Sequence, residues 1–208
     1  MVRYIKQFQD YWTHTASQLD LTVSSCEELY GALYSAYSES QRYYHTVQHI
    51  VECLEHFHDI KTHLTDALSV ELAIWFHDVI YNPQAHDNEQ QSAEYMKQVL
   101  ESVLVAEQME KIYAWILATQ AHAPTANLDL AYLLDIDLAI LASNPIRFAE
   151  YEGQIQQEYA WVESSLYAQK RQQVLRHFLE MQPLYQTPLF QKRYEHQAKQ
   201  NLAQILSV

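Results

Sequence analysis

The sequence predicts an all-α protein, a single-domain helical bundle with roughly ten helices. Only two glycines and five prolines occur among the 208 residues, and these are the residues that interrupt helices most strongly. Apolar residues recur at spacings of three and four along most of the chain, which is the pattern of amphipathic helices. No alternating pattern of convincing strand length is present. A chain of this length fits one compact domain, which we expect to span residues 1–208.

The first helices are predicted from apolar spacing and from residues that favour helix starts. Residues 2–18 have an amphipathic pattern. Ser24 followed by Glu27 forms a capping-box pattern and predicts the start of a second helix. The polar residues 38–42 predict a loop, and a third helix is predicted from about 44 to 60.

A fourth, strongly apolar helix is predicted to begin at the cap Thr65-Asp66 and to end near Asp78. A helix that is apolar on most faces is usually buried, because no face is left for water. His77 and Asp78 lie at the end of this run. Their burial costs several kcal/mol unless a partner compensates it. A divalent metal ion is one such partner.

The remaining helices are predicted in the same way, from apolar spacing, capping residues and prolines. They cover about 87–100 and 104–121, a helix from about 128 that carries Asp135 and Asp137, a helix from 145 that runs past 159, a helix at about 165–181, and a last helix that starts at Thr187-Pro188.

Composition narrows the classes of partner. The net charge of −13 disfavours binding to a nucleic-acid backbone. The two cysteines suggest neither a disulfide framework nor a Cys-based metal motif. No apolar run has the length of a membrane span, and the N-terminus lacks a secretory pattern. We therefore expect a cytoplasmic protein with no membrane or nucleic-acid partner. A homodimer is compatible with the sequence but not required by it.

Further histidines and aspartates are candidate ligands. His45 and His49 are four residues apart, so they share one face if both are helical. His58 is about 180° from His49 on the same predicted helix, so we interpret the second His-Asp pair, His58-Asp59, as a solvated surface pair. Asp135 and Asp137 lie in another apolar run, and about 200° separates them on a helix, so only one should face inward. We favour Asp137.

The order of these residues resembles the HD-domain superfamily of metal-dependent phosphohydrolases, and more closely its bacterial branch of predicted phosphohydrolases. The resemblance covers about residues 41–202 and combines several short motifs. These are Tyr44-His45-x-x-x-His49-Ile50, Trp75-Phe76-His77-Asp78, Asp87-Asn88-Glu89-x-x-Ser92-Ala93, Ala118-Thr119-x-x-His122, Asp137-Leu138 and Glu195-x-x-Ala198-x-x-Asn201-Leu202.

The resemblance implies an HD-type bundle, with a core at about 41–142 and further helices at about 145–206. It also implies a metal centre with the ligands His49, His77, Asp78 and Asp137. Other branches of the superfamily would use His45 as the ligand instead, and this alternative stays open. A set of imidazoles and carboxylates suits Mn²⁺, Fe²⁺, Ni²⁺, Zn²⁺ or Mg²⁺.

The other site residues are assigned by the same resemblance, each beside a structural alternative. His45 would be the general acid. Glu89 would orient the attacking water or a ligand, or would simply suit the first turn of its helix. Arg42 would bind phosphate, or would be an ordinary surface arginine. His122 would contact the substrate, or would end its helix.

The expected function is hydrolysis of a phosphomonoester or phosphodiester in a nucleotide or other small metabolite, through a metal-activated water. One alternative is a di-iron oxygenase of HD-type fold. Another is a module that binds a metal or nucleotide without turnover.

Overall fold

The computed structural model describes residues 2–207, and every regular element within them is helical. This confirms the predicted all-α class and the expected number of helices. Within the same residues, no helix combines the length and the apolar character needed to cross a membrane. The helices are α1 (Val2–Ala16), α2 (Val23–Ala36), α3 (Val47–Ile60), α4 (Ala67–Phe76), α5 (Asn88–Leu100), α6 (Ala106–Ala118), α7 (Leu128–Asp137), α8 (Pro145–Glu158), α9 (Ser164–Glu180) and α10 (Pro188–Leu206), with short 3₁₀ turns at Lys61–His63 and Leu138–Ala142.

The chain forms two compact units that meet in sequence between Ala123 and Pro124. The first unit contains α1 to α6, and the second contains α7 to α10. A single domain over residues 1–208 stays a prediction.

Helix α4 is the core of the first unit. It is contacted by α1, α3, α5 and α6, and every residue from Ser69 to Phe76 is buried. The apolar run therefore has the central position that its composition predicts. This position places the residues that follow α4, His77 and Asp78, next to the surrounding helices.

Two buried polar side chains of this core, Thr15 and Glu71, form a hydrogen bond with each other. Glu71 of α4 is only 2% exposed. It accepts hydrogen bonds from the Thr15 hydroxyl (2.6 Å) and from the Gln18 amide (3.1 Å). The Thr15 hydroxyl in turn accepts from the Trp75 indole N–H at 2.9 Å. This network joins α1 to α4 and compensates the burial of Glu71.

Several predicted helix starts are confirmed. Asp66 accepts from the Ser69 N–H at the start of α4, and Asn144 caps α8 with Pro145 at its first position. Thr187 likewise caps α10, with Pro188 at its first position.

Two predicted starts were wrong. The residue that caps α2 is Thr22, whose hydroxyl accepts from the Ser25 N–H at 3.1 Å, and not Ser24. Helix α3 begins at Val47 behind the cap Thr46, three residues later than predicted. His45 therefore lies in a turn outside α3.

In the second unit, α10 packs against α9 and against the 3₁₀ turn at Leu138–Ala142. The start of α10 is tied to α7 by Asp135, which is 1% exposed. Its carboxylate accepts from the backbone N–H groups of Gln186 (2.7 Å) and Thr187 (2.8 Å) and from the Thr187 hydroxyl (2.6 Å). These bonds use both carboxylate oxygens, so Asp135 has a structural role.

Replacement of Thr15 by valine should test the buried network of the first unit. Valine has nearly the same shape but leaves the Trp75 indole and the Glu71 carboxylate without the hydroxyl. We expect a loss of about 1–3 kcal/mol in the free energy of unfolding, measured by urea denaturation. The exposed Thr13, whose hydroxyl donates to the Gln9 carbonyl, offers the matched control. Thr13→Val should change stability by less than about 0.5 kcal/mol, and equal losses in both variants would contradict the interpretation.

The titration of Asp135 should make stability depend on pH. Burial raises the pKa of Asp135 to about 6, although hydrogen bonds from Thr187 and Gln186 oppose the rise. The folded chain then holds this proton more tightly than the unfolded chain. The stabilisation that the protonated Asp135 provides is therefore fully present below the ordinary carboxyl pKa and is lost as pH rises through about 6.

The neutral variant Asp135→Asn lacks this titration. Between about pH 4 and about pH 7, its stability should rise relative to the native protein by about 2–3 kcal/mol, measured by urea denaturation at each pH. Asp59→Asn, at an exposed position of α3, is the control. A difference between Asp135→Asn and the native protein that does not change with pH would contradict the expectation.

Candidate metal centre

His77 follows the last residue of α4 and has a defined ring orientation. Its backbone N–H donates to the Ala73 carbonyl at 2.9 Å, which continues the helical pattern. Its Nδ1 lies 2.9 Å from the Ile74 carbonyl oxygen. A carbonyl can only accept, so Nδ1 carries the hydrogen and the lone pair of a neutral ring lies on Nε2. Metal-binding histidines are commonly oriented by this kind of bond.

His49 and Asp78 bring two more ligand atoms to the Nε2 of His77. His49 lies in the first turn of α3 and is buried. Its Nε2 is 3.2 Å from the Nε2 of His77. The Oδ2 atom of Asp78 is 3.1 Å from the His77 Nε2 and 3.5 Å from the His49 Nε2. Three ligand atoms from two segments of the first unit therefore form a small triangle.

The size of this triangle suits a metal ion. Ligand atoms bound at about 2.1 Å, with angles between tetrahedral and octahedral values, are roughly 3.0–3.4 Å apart. The three observed separations, 3.1, 3.2 and 3.5 Å, are close to that range. Two imidazoles and one carboxylate also fit divalent transition metals, and such a set leaves coordination positions for water and substrate.

The electrostatics of Asp78 are consistent with a cation-binding role. Burial raises the pKa of Asp78, but the nearby imidazoles of His77, His45 and His49 outweigh burial and hold that pKa well below its usual range. The carboxylate is therefore ionised, as a metal ligand must be. A largely buried carboxylate beside two imidazoles is stabilised by a positive charge, which either a proton or a metal ion can supply.

His45 lies beside this triangle in the turn before α3. Its ring is 5.9 Å from the His49 ring, measured between centroids. It packs between Tyr44 at 4.9 Å and Tyr81 at 4.3 Å. Its side chain is half-buried, whereas that of His49 is buried. Of the two, His49 brings a ring nitrogen into the triangle, and His45 lies next to it; which of them binds the metal stays a prediction.

Arg42 has different surroundings from those expected for a phosphate-binding residue. Its side chain is completely buried. Its guanidinium donates to the carbonyls of His45, Asp78 and Val79 and to the carboxylate of Glu39. A buried guanidinium with four protein acceptors is poorly suited to bind a substrate phosphate.

Glu89 and His122 lie in the later helices of the first unit. Glu89 is in the first turn of α5, where its carboxylate accepts from the Gln120 amide at 3.2 Å. His122 follows α6 with a positive φ of 48°, and its N–H donates to the Ala118 carbonyl. A positive φ is common just after a helix, so this geometry fits the helix-ending alternative. Their parts in catalysis and substrate binding stay predictions.

Asp137 is the last residue of α7, in the second unit, and is half-buried. Its part as a fourth ligand stays a prediction of the resemblance alone. Asp135, the other aspartate of this run, already accepts hydrogen bonds from Gln186 and Thr187 through both carboxylate oxygens, so it is poorly suited to bind a metal.

Cys53 contacts the site and was not predicted from the sequence. Its Sγ atom is 3.7 Å from the Nδ1 of His49, and the thiol is buried. Cys53 follows His49 by four residues, so helical spacing alone would have placed both on one face of α3. Tyr81 was missed as well, because it follows Asp78 in a segment without regular structure and no periodic pattern locates its ring.

The three ligand residues should be necessary for metal retention. We expect Asp78→Asn, His77→Ala and His49→Ala each to lose most bound metal, because a pair of ligands holds a cation far less tightly than three. The measurement is metal content per chain by elemental analysis after dialysis.

The chain contains its own control in the second His-Asp pair, at the end of α3. Asp59 is exposed, and the His58 ring packs on Tyr11 at 4.7 Å. Asp59→Asn and His58→Ala should keep the native metal content. Full occupancy in both Asp78→Asn and His77→Ala would show that this triangle is not the metal centre.

Comparison with known proteins adds no family assignment: no family model matches the chain, and no curated protein or solved structure was found to match it.

Proposed function

We propose that this chain is a metal-dependent phosphohydrolase that cleaves a phosphomonoester or phosphodiester in a small metabolite such as a nucleotide. The observation that supports the proposal most is the triangle formed by His49, His77 and Asp78, with ligand atoms 3.1–3.5 Å apart. The resemblance of the surrounding motifs to the HD-domain superfamily supplies the reaction type. The metal-binding part of the proposal rests on geometry, and the choice of reaction rests on the resemblance.

The ligand set favours a transition metal. Two imidazole nitrogens suit Mn²⁺, Fe²⁺, Ni²⁺ or Zn²⁺, whereas Mg²⁺ prefers oxygen ligands and several waters. A bound divalent cation supplies Lewis-acid polarisation of a phosphoryl oxygen and lowers the pKa of a water molecule. Positive charge here would also offset the net charge of −13, which otherwise repels an anionic substrate.

The protein's own groups have separate tasks in this proposal. Asp78, His49 and His77 hold the cation. His45, held between two tyrosine rings, donates a proton to the leaving oxygen. Glu89 orients the attacking water. The resemblance suggests Asp137 as a further ligand and His122 as a substrate contact.

The test is a panel of phosphate esters assayed with the metal-free protein after addition of each of the five metals. We expect hydrolysis of at least one phosphomonoester or phosphodiester with a transition metal, and none with Asp78→Asn. Failure of the whole panel with every metal, at full metal occupancy, would contradict the proposal.

His45 should be needed for turnover but not for metal binding. His45→Ala removes the proton donor, so kcat should fall by about 10²–10⁴-fold while metal content stays native. The measurement pairs steady-state kinetics with metal analysis of the same preparation. Loss of metal in His45→Ala would instead identify His45 as a ligand.

A second candidate is a di-iron oxygenase of HD-type fold. Two histidines and one carboxylate with open positions also form the ligand set of non-haem iron oxygenases, which is the observation that favours it. The discriminating measurements are iron content after purification and oxygen consumption with Fe²⁺. Oxygen uptake by a protein that hydrolyses no phosphate ester would favour this candidate, and metal retention without either reaction would favour a binding module.

A further inference from the structure

Arg42 lies in the turn between α2 and α3 and joins two segments that are far apart in sequence. Its Nη1 donates to the backbone carbonyl of Asp78 at 2.7 Å and to that of His45 at 3.1 Å. Its Nη2 donates to the Val79 carbonyl at 2.9 Å, and its Nε donates to the Glu39 carboxylate at 3.0 Å. One guanidinium thus binds the backbone of Asp78, a candidate metal ligand, and the backbone of His45, the proposed proton donor.

Two aromatic rings pack on the Arg42 guanidinium, one from the end of α2 and one from the segment after α4. Its central carbon is 5.2 Å from the Tyr37 ring and 5.3 Å from the Tyr81 ring, distances typical of cation–π contacts. The Tyr37 hydroxyl donates to the Trp75 carbonyl at 2.8 Å, in the last turn of α4. The Tyr81 ring packs on His45 at 4.3 Å. The contacts of Arg42 therefore extend to the end of α4 and to the ring of His45.

This arrangement matters because the backbone at Asp78 is not held by a helix. α4 ends at Phe76, and buried carbonyls beyond a helix end need other donors. Arg42 supplies those donors at two consecutive residues, Asp78 and Val79. A lysine has one compact ammonium and cannot reproduce this planar fork.

We propose that Arg42 is a positioning residue: it joins the turn of Asp78 to the turn of His45, and so sets the place of the metal ligand relative to the proton donor. It does not touch the substrate. This inference rests on the metal centre proposed above but not on the identity of the reaction.

The test is the metal dissociation constant of Arg42→Lys, measured by competition with a chelating indicator well below the unfolding temperature. The variant keeps the charge but loses the fork. We expect metal affinity to fall roughly 10-fold to 100-fold, the usual effect of losing a group that orients a ligand. In the kinetic assay kcat should fall, while KM for a phosphate ester stays within about threefold of the native value. The loss of a direct contact to the substrate phosphate would raise KM by more than that.

Arg171 provides a matched control in the second unit. It is also largely buried, forms an ion pair with Glu152 and lies over the Tyr151 ring at 5.1 Å. Arg171→Lys should lower stability but leave metal affinity within about twofold, since a general loss of packing does not act on ligand geometry.

A milder variant tests the same inference if Arg42→Lys does not fold. Glu39→Gln changes only the half-exposed partner of Arg42 and should weaken metal binding a few-fold in the same direction. Native metal affinity in folded Arg42→Lys and Glu39→Gln would overturn the inference. A raised KM at unchanged metal affinity would also overturn it, because it would mean that Arg42 contacts the substrate phosphate.

The outcomes also separate this inference from the proposed function. Metal binding that depends on Arg42, in a protein that hydrolyses no phosphate ester, supports the positioning role and overturns the hydrolase. A native protein that binds none of the five metals overturns both.

Discussion

The burial of α4 is the constraint on which the first unit depends. A helix surrounded by α1, α3, α5 and α6 keeps its buried polar groups away from bulk water, so each such group needs a partner within the protein. Glu71 finds its partners in Thr15 and Gln18 of the N-terminal segment. The Nδ1 of His77 has the Ile74 carbonyl as its partner. The lone pair on Nε2 then lies beside the Oδ2 of Asp78 and the Nε2 of His49. The same burial that stabilises the core thus creates a small site that attracts a cation.

The geometry of the candidate metal centre depends on segments without regular structure as much as on helices. α3 positions His49, but Asp78 and His45 both lie in turns. Turns hold a ligand in place only when their backbone groups are bonded to something rigid. Arg42 meets that need here through carbonyl contacts in both turns. A surface loop with free carbonyls would leave the carboxylate mobile, and metal affinity would decrease accordingly.

Much of the fold was predictable because its signals are local. Scarce glycine and proline, apolar spacing and the caps at Asp66, Asn144 and Thr187 depend only on nearby residues. Prediction failed at the starts of α2 and α3. Thr22 and Thr46 cap α2 and α3. The first was missed because the capping box of Ser24 and Glu27 was preferred, and the second because the helical pattern was extended back to residue 44. The second error moved His45 from a helix into a turn.

For the site, the sequence by itself determined which chemical groups are available: two histidine segments, a His-Asp pair after a buried run, and a pair of aspartates. It already favoured His77-Asp78 over His58-Asp59, through the buried run and the helical angle, but it left open which groups Arg42 and Asp135 contact. Only the tertiary structure decided these points, because they depend on contacts between residues far apart in the chain. Arg42 and Asp78 are separated by 36 positions, and Asp135 and Thr187 by 52. No local periodicity encodes such distances, since they follow from how whole helices pack.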